Sequence, residues 1–151
     1  MSVTKKIIGW GKNSAVHTPA GENATAVTHA DIVDGSTSLS VEEGQEQEAL
    51  IEGGEAEARK KQADKYIVEY DRRIGSDSEV TPGFTDEAGS IQIIPEQVGA
   101  VGVTLTGVSL YISLTFDTTD GLKAHYQYKT KGATDATGAL TDITMQAKSA
   151  G

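Results

Sequence analysis

The stretch that decides the fold is Val101–Lys129, which reads VGVTLTGVSLYISLTFDTTDGLKAHYQYK. Apolar residues alternate with other residues along Val101–Leu105 and again along Val108–Phe116, but the two runs have opposite parity. A shift of one residue turns every side chain of a strand to the other face of its sheet. Both runs can therefore face the same core only if a β-bulge or a tight turn occurs at Thr106 and Gly107.

The second half of this stretch predicts a β-hairpin. Asp117–Gly121 supplies the aspartates and the glycine that suit a hairpin turn. The strand that follows has an apolar face made of Leu122, Ala124, Tyr126 and Tyr128. We therefore predict that Val108–Phe116 pairs antiparallel with Leu122–Thr130.

Further strands are predicted on both sides of the hairpin. Lys65–Ile74 alternates in the same way, and shorter candidates lie at Thr37–Val41, Ile91–Ile94 and Leu140–Met145. Ile and Val together outnumber Leu by 22 to 7, which favours strands because branched side chains fit a pleated surface. We predict one mostly β domain over residues 1–151, an antiparallel β-sandwich or barrel with at most one short helix.

Residues 42–62 form a charged segment that we interpret as an extended arm. Its Glu, Gln, Ala, Lys and Arg residues favour a helix, but Gly44, Gly53 and Gly54 interrupt any helix longer than two turns. The Gly53-Gly54 pair is typical of the tip of a hairpin, and we favour the hairpin over the helix. Such an arm buries little apolar area in an isolated subunit and should be mobile there.

The charge of the chain is concentrated in one interval. The net charge is −9, and no Lys or Arg occurs between Lys12 and Arg59, where ten carboxylates lie. A surface with such a block repels phosphate, so a nucleic-acid reader with a basic footprint is disfavoured. The alternative explanation for this cluster of carboxylates is an ordinary solvent-exposed surface that keeps the protein soluble.

The composition also excludes several classes of protein. The chain has no cysteine, which rules out disulfide scaffolds, zinc ribbons and thiol catalysis. No signal-peptide core or apolar run long enough for a transmembrane helix is present, so we expect no membrane anchor and a cytoplasmic site of synthesis and assembly.

The residues give little support for catalysis. His17 and His29 fall in a Gly-, Ala- and Thr-rich segment that we predict to be a loop, and His125 falls on the polar face of a strand. None of the three has a second ligand at the spacing of a metal site, and no nucleophile elbow or phosphate-binding loop occurs. We therefore predict no catalytic residue, no cofactor, no metal and no enzyme activity.

The order of these features resembles the tail tube proteins of long-tailed bacteriophages and their relatives in contractile injection machines. The similar portion spans Asp34–Arg73 and the closing hairpin up to Met145. In it, a strand ending in Leu39-Ser40-Val41 leads into the charged arm, and a further strand and the hairpin follow. The Gly- and Ala-rich segment Ser14–Ala30 departs from the pattern, which leaves the assignment of individual strands open.

The resemblance implies a structural subunit of a virion or prophage tail that assembles into stacked hexameric rings, which form a conduit for DNA. Its partners would be copies of itself and the tape-measure, baseplate or terminator proteins of the tail, with DNA only as passing cargo. The arm would contact a neighbouring ring through Glu42, Glu43, Glu46, Glu48, Glu52, Gly53, Gly54, Glu55, Glu57, Arg59, Lys60 and Lys61.

Two roles are open for the acidic residues under this interpretation. They could line the conduit, since a surface without Lys or Arg does not hold phosphates and lets a duplex slide. They could instead pair with basic residues of the next subunit. A monomeric β-sandwich binding module, such as an adhesin or carbohydrate-binding domain, is the alternative function; the eight aromatic residues argue against it because sugar sites use exposed Trp or Tyr.

Overall fold

The computed structural model describes residues 12–54, 56–75 and 80–149. Within these ranges the chain forms strands and no helix. The strands are β1 (Asn13–Thr18), β2 (Val27–His29), β3 (Ser38–Glu42), β4 (Glu46–Leu50), β5 (Ala56–Lys61), β6 (Lys65–Arg73), β7 (Gly83–Pro95), β8 (Val101–Asp117), β9 (Gly121–Lys129) and β10 (Ile143–Ala147). The predicted antiparallel β fold is confirmed, and the helical alternative for the arm is excluded for its described residues.

Eight of the strands form one antiparallel sheet in the order β2-β1-β7-β8-β9-β6-β3, with β10 added beside the first part of β8. The sheet is not closed, and β4 and β5 form a separate two-stranded sheet. The predicted hairpin is β8 with β9, in register from Ser109 opposite Lys129 to Asp117 opposite Gly121. Asp117 stabilises the turn because its Oδ1 accepts hydrogen bonds from the backbone N–H groups of Thr119 and Asp120.

The irregularity predicted in the middle of β8 is confirmed. The pairing with β7 jumps from Val108 opposite Gly89 to Thr106 opposite Ser90, which leaves Gly107 without a cross-strand partner in that ladder. Gly107 has a φ of 61°, in the left-handed region that glycine adopts most easily. Because the bulge reverses the parity, the side chains before and after it turn to the same core.

The core lies on the inner face of the sheet, which curves so that β1 and β2 approach β6 and β9: ring centroids are 5.4 Å apart for His17 and Tyr128 and 5.2 Å apart for His29 and Tyr126. Leu105 and Val108 flank the bulge and are fully buried, and three tyrosines from β6 and β9 fill the centre. The buried cluster consists of Ala15, Val68, Tyr70, Ala88, Ile91, Ile93, Leu105, Val108, Leu110, Ala124, Tyr126 and Tyr128. The expectation that the apolar alternation is buried along its whole length is wrong at the far end of β8, where Leu114 is 42% and Phe116 is 72% exposed.

Several predicted boundaries also need correction. The segment interpreted as a loop around the first two histidines contains β1 and β2, so the strand before the arm is the third strand and not the first. Strand β7 has 13 residues and begins at Gly83, well before the predicted Ile91–Ile94. Its first five residues are exposed, and Gly83, Phe84 and Thr85 belong to the strand through pairing with β8 rather than through burial. The last strand begins at Ile143 instead of Leu140.

Candidate assembly surface and the buried polar network

The arm is an antiparallel hairpin, as predicted. Strands β4 and β5 pair from Glu46 opposite Lys61 to Leu50 opposite Ala56, with a register shift next to Leu50. The turn is tied by a hydrogen bond from the Gly54 N–H to the Ile51 carbonyl, 3.1 Å long. Gly53 and Gly54 have φ values of 94° and 85°, which explains why two glycines occupy the tip.

The arm is fastened at its root. The Gly44 N–H donates to Oδ1 of Asp64 over 2.9 Å, and the Gln62 N–H donates to the Gln45 carbonyl over 2.8 Å. A Cβ atom at Gly44 would lie 1.9 Å from the Gln62 carbonyl oxygen, so only glycine permits this close approach of the two chains. The root therefore fixes where the arm leaves the sheet.

The surface of the arm and of the strand before it is exposed and partly apolar. Every residue of β4 is exposed, and next to the tip Leu50 is 60% and Ile51 is 45% exposed. Leu39 and Val41 of β3 are also exposed, although Leu39 pairs with the buried Val68 and so shares the inward face of the sheet. These side chains leave apolar area at the sheet edge and beside the tip of the arm that the described residues of the subunit do not cover.

The structure distributes the predicted contact residues over the whole hairpin. Glu42 ends β3 and forms an ion pair with Lys129, whose ammonium holds the pKa of Glu42 below its usual range. Glu55 lies outside the described residues. The others occupy the link into the arm (Glu43), strand β4 (Glu46, Glu48), the turn (Glu52, Gly53, Gly54) and strand β5 (Glu57, Arg59, Lys60, Lys61).

The register of the arm places its acidic and basic segments in adjacent strands. Glu46 lies opposite Lys61, and Glu48 lies opposite Arg59. The acidic stretch of β4 and the basic stretch of β5 are therefore neighbours in the backbone of one arm.

The core contains a polar network that the sequence analysis did not anticipate. The hydroxyl of Tyr70 lies 2.7 Å from Nδ1 of His29 and 3.1 Å from the hydroxyl of Tyr128. The ring of Tyr70 stacks on Tyr126 with centroids 5.0 Å apart and planes 13° apart. Burial raises the pKa of the Tyr70 hydroxyl far above its ordinary value, so this group acts only as a neutral hydrogen-bonding partner.

An arginine extends this network to the surface. Arg72 forms a bidentate ion pair with Asp31, with Nε–Oδ1 and Nη2–Oδ2 distances of 2.8 and 3.0 Å. Its Nη1 also donates to the Tyr126 hydroxyl over 2.8 Å. Burial, followed by the positive charge of Arg72, lowers the pKa of His29 to about 4, so this imidazole is neutral at physiological pH.

The network joins the segment around β2 to β6 and β9 through hydrogen bonds and one ion pair, and these contacts stabilise the fold. Arg72 shares the parity of Val68 and Tyr70 along β6, and this was the signal in the sequence that an arginine faces inward. The prediction that His125 lies on the polar face is confirmed: its Nδ1 lies 2.5 Å from Oδ1 of Asp71. In the described ranges no three His, Asp or Glu side chains are grouped to hold a metal ion.

Comparison with known proteins identifies no relative, since the chain matches no protein-family model and no curated protein at a significant level. The part of the chain that the structure describes contains no helix of the length and apolarity needed to cross a bilayer.

Proposed function

We propose that the chain is a structural subunit that assembles with copies of itself into stacked rings, and that the resulting tube conducts DNA as in the tail tube proteins that its sequence resembles. The observation that carries the proposal is the arm: a hairpin fastened at its root, exposed along β4, and carrying apolar residues next to its tip. In this assembly the arm contacts a neighbouring copy.

The energetics support a contact that a second copy completes. Leu50 and Ile51 beside the tip and Leu39 and Val41 on β3 retain about half of their surface in contact with water. Full burial of one such side chain stabilises a contact by roughly 1.5–3 kcal/mol, so covering four half-exposed ones contributes several kcal/mol per subunit. Repetition of a heterologous contact closes a ring when the rotation between copies permits it.

The charge distribution is compatible with passing DNA. The interval between Lys12 and Arg59 contains ten carboxylates and no Lys or Arg, and the net charge of the chain is −9. Condensed counterions are released only where Lys or Arg meets phosphate, so an acidic wall does not retain the duplex.

The test is a variant of the arm in which Leu50→Ser and Ile51→Ser are combined. We expect the wild-type chain to form rings and tubes in sedimentation velocity runs and negative-stain images of concentrated solutions, and the double variant to form no tubes, because the arm contacts the neighbouring ring. Val98→Ser is the matched control, since Val98 is an exposed apolar residue in the turn between β7 and β8. The control should assemble like the wild type.

Two results would contradict the proposal. The first is a wild-type chain that stays monomeric at every concentration, which would favour the alternative of a monomeric binding module. The second is a double variant that assembles as well as the wild type, which would show that the arm tip does not form the contact. Thermal unfolding of the wild type and the variants is compared at a concentration at which all of them are monomeric, because assembly itself raises the apparent stability of the folded chain. Equal curves are required there, because the tested residues lie outside the core.

A further inference from the structure

The outward face of the sheet carries an exposed aromatic pair that continues into polar residues. Phe84 on β7 lies opposite Tyr111 on β8, Tyr111 lies opposite Gln127 on β9, and Gln127 lies opposite Glu69 on β6. Directly opposed residues share one face of a sheet, so these four side chains form a row across four strands. Phe84 is 65% and Tyr111 is 47% exposed, which makes them accessible to a ligand.

A second row of polar residues runs beside the first on the same face. Ser113 lies opposite His125, and His125 lies opposite Asp71. Within each row the polar side chains contact one another: Nε2 of Gln127 donates to Oε1 of Glu69 over 3.1 Å, and Nδ1 of His125 lies 2.5 Å from Oδ1 of Asp71. Nε2 of His125 lies 3.7 Å from Oε2 of Glu69. These contacts hold the groups in place before any ligand arrives.

The charges flanking the two rows are paired as well. Arg73 bonds Asp120, and Lys123 lies within 3.9 Å of Asp117 and 3.4 Å of Asp120. Lys129 pairs with Glu42 at the other end. A polyanion would have to break these pairs to reach the basic groups, and it would meet the carboxylates of the two rows. The face is therefore unsuited to phosphate or sulfate chains.

We propose that this face binds an uncharged oligosaccharide. The faces of Phe84 and Tyr111 supply apolar area against which the C–H face of a sugar ring packs. The fixed amide, carboxylate and imidazole groups supply donors and acceptors for neighbouring hydroxyls. Four strands spaced about 4.8 Å apart make the row about 14 Å long. This length accommodates a short oligosaccharide rather than only one sugar ring. The aromatic count that argued against sugar binding is offset because two of these residues are exposed side by side.

This inference does not rest on the proposed function, because it requires only the folded subunit. The test uses calorimetric titration of the full chain with three neutral probes: cellohexaose, maltohexaose and hexa-N-acetylchitohexaose. We expect at least one probe to bind at millimolar concentration or below. Phe84→Ala and Tyr111→Ala should each weaken that binding about tenfold or more, a loss of about 1.4 kcal/mol. Tyr111→Phe should retain it, because the ring is kept.

Phe116→Ala is the matched control, since Phe116 is a still more exposed aromatic residue on the opposite parity of β8. It should leave binding unchanged. The inference is overturned if none of the three probes binds, if Phe116→Ala weakens binding as much as Phe84→Ala does, or if heparin displaces the neutral probe from the same residues. It is also overturned if Phe84→Ala changes only the sedimentation of the chain, because the face would then be a contact between copies. Assembly and glycan titration are separate readouts, so either proposal can fail alone.

Discussion

Removal of one hydroxyl from the core tests whether the buried network stabilises the fold. In Tyr70→Phe the ring and its stacking on Tyr126 are kept, but His29 and Tyr128 each lose a hydrogen-bonding partner. A net hydrogen bond contributes about 0.5–1.5 kcal/mol, and a buried partner left without one costs about 1–3 kcal/mol. Since Tyr128 is fully buried and His29 is partly exposed, we expect the free energy of unfolding to fall by about 2 kcal/mol.

The measurement is a urea titration followed by far-ultraviolet circular dichroism, with the midpoint and slope fitted for each variant. Tyr111→Phe is the control, because it removes the same atom from a half-exposed tyrosine and should change stability by less than about 0.5 kcal/mol. In Tyr70→Phe/Tyr128→Phe the orphaned hydroxyl is also gone, so the loss should be about 1 kcal/mol smaller than the sum of the single losses. A loss below about 0.5 kcal/mol in Tyr70→Phe, or strict additivity in the double variant, would refute the argument.

Two further predictions concern the core and its response to pH. Leu105→Ala should lower the free energy of unfolding by about 2–5 kcal/mol, because Leu105 is fully buried. Leu114→Ala should lower it by less than about 1 kcal/mol, because the side chain of Leu114 is exposed. Equal losses in urea titrations would mean that the parity around the bulge is misassigned. The pKa of His29 is about 4 in the folded chain, against an ordinary value of 6.5, so the unfolded chain takes up a proton at a higher pH than the folded chain does. The free energy of unfolding is therefore highest above pH 6.5, as far as this group is concerned, and falls as the pH is lowered towards 4. After allowance for its partial exposure we expect a loss of about 1–2 kcal/mol over this interval, measured by unfolding at each pH. His29→Gln should flatten the curve there, and an unchanged slope would contradict the assignment.

The parts of the fold that could be predicted from the sequence are those in which local pattern and burial agree. The bulge at Gly107 follows from a change of parity, and the arm tip follows from paired glycines, because both are local requirements of the backbone. The first half of β7 could not be predicted, since its residues Gly83–Glu87 are all exposed, and Gly83, Phe84 and Thr85 are placed in the strand by their pairing with β8.

The buried network was missed for a different reason. Strand alternation assigns a residue to a face, but it does not say which polar groups from distant parts of the chain meet there. Asp31 and Arg72 are 41 residues apart, and their ion pair forms because the segment after β2 runs beside β6, where Ile32 and Arg72 form an antiparallel bridge. The row from Phe84 to Glu69 is likewise created by the order of β7, β8, β9 and β6 in the sheet, which the sequence pattern leaves undetermined.

The residues that stabilise the fold and the residues proposed to contact another copy lie in different parts of this molecule. The core tyrosines and the residues around the bulge hold β1 and β2 against β6 and β9, and these residues come from strands of the main sheet. The arm forms its own two-stranded sheet and joins the main sheet through its root at Gly44. Residues of the arm tip can therefore be changed without opening the core. An effect of Leu50→Ser and Ile51→Ser on assembly then reports on the contact itself and not on the stability of the subunit.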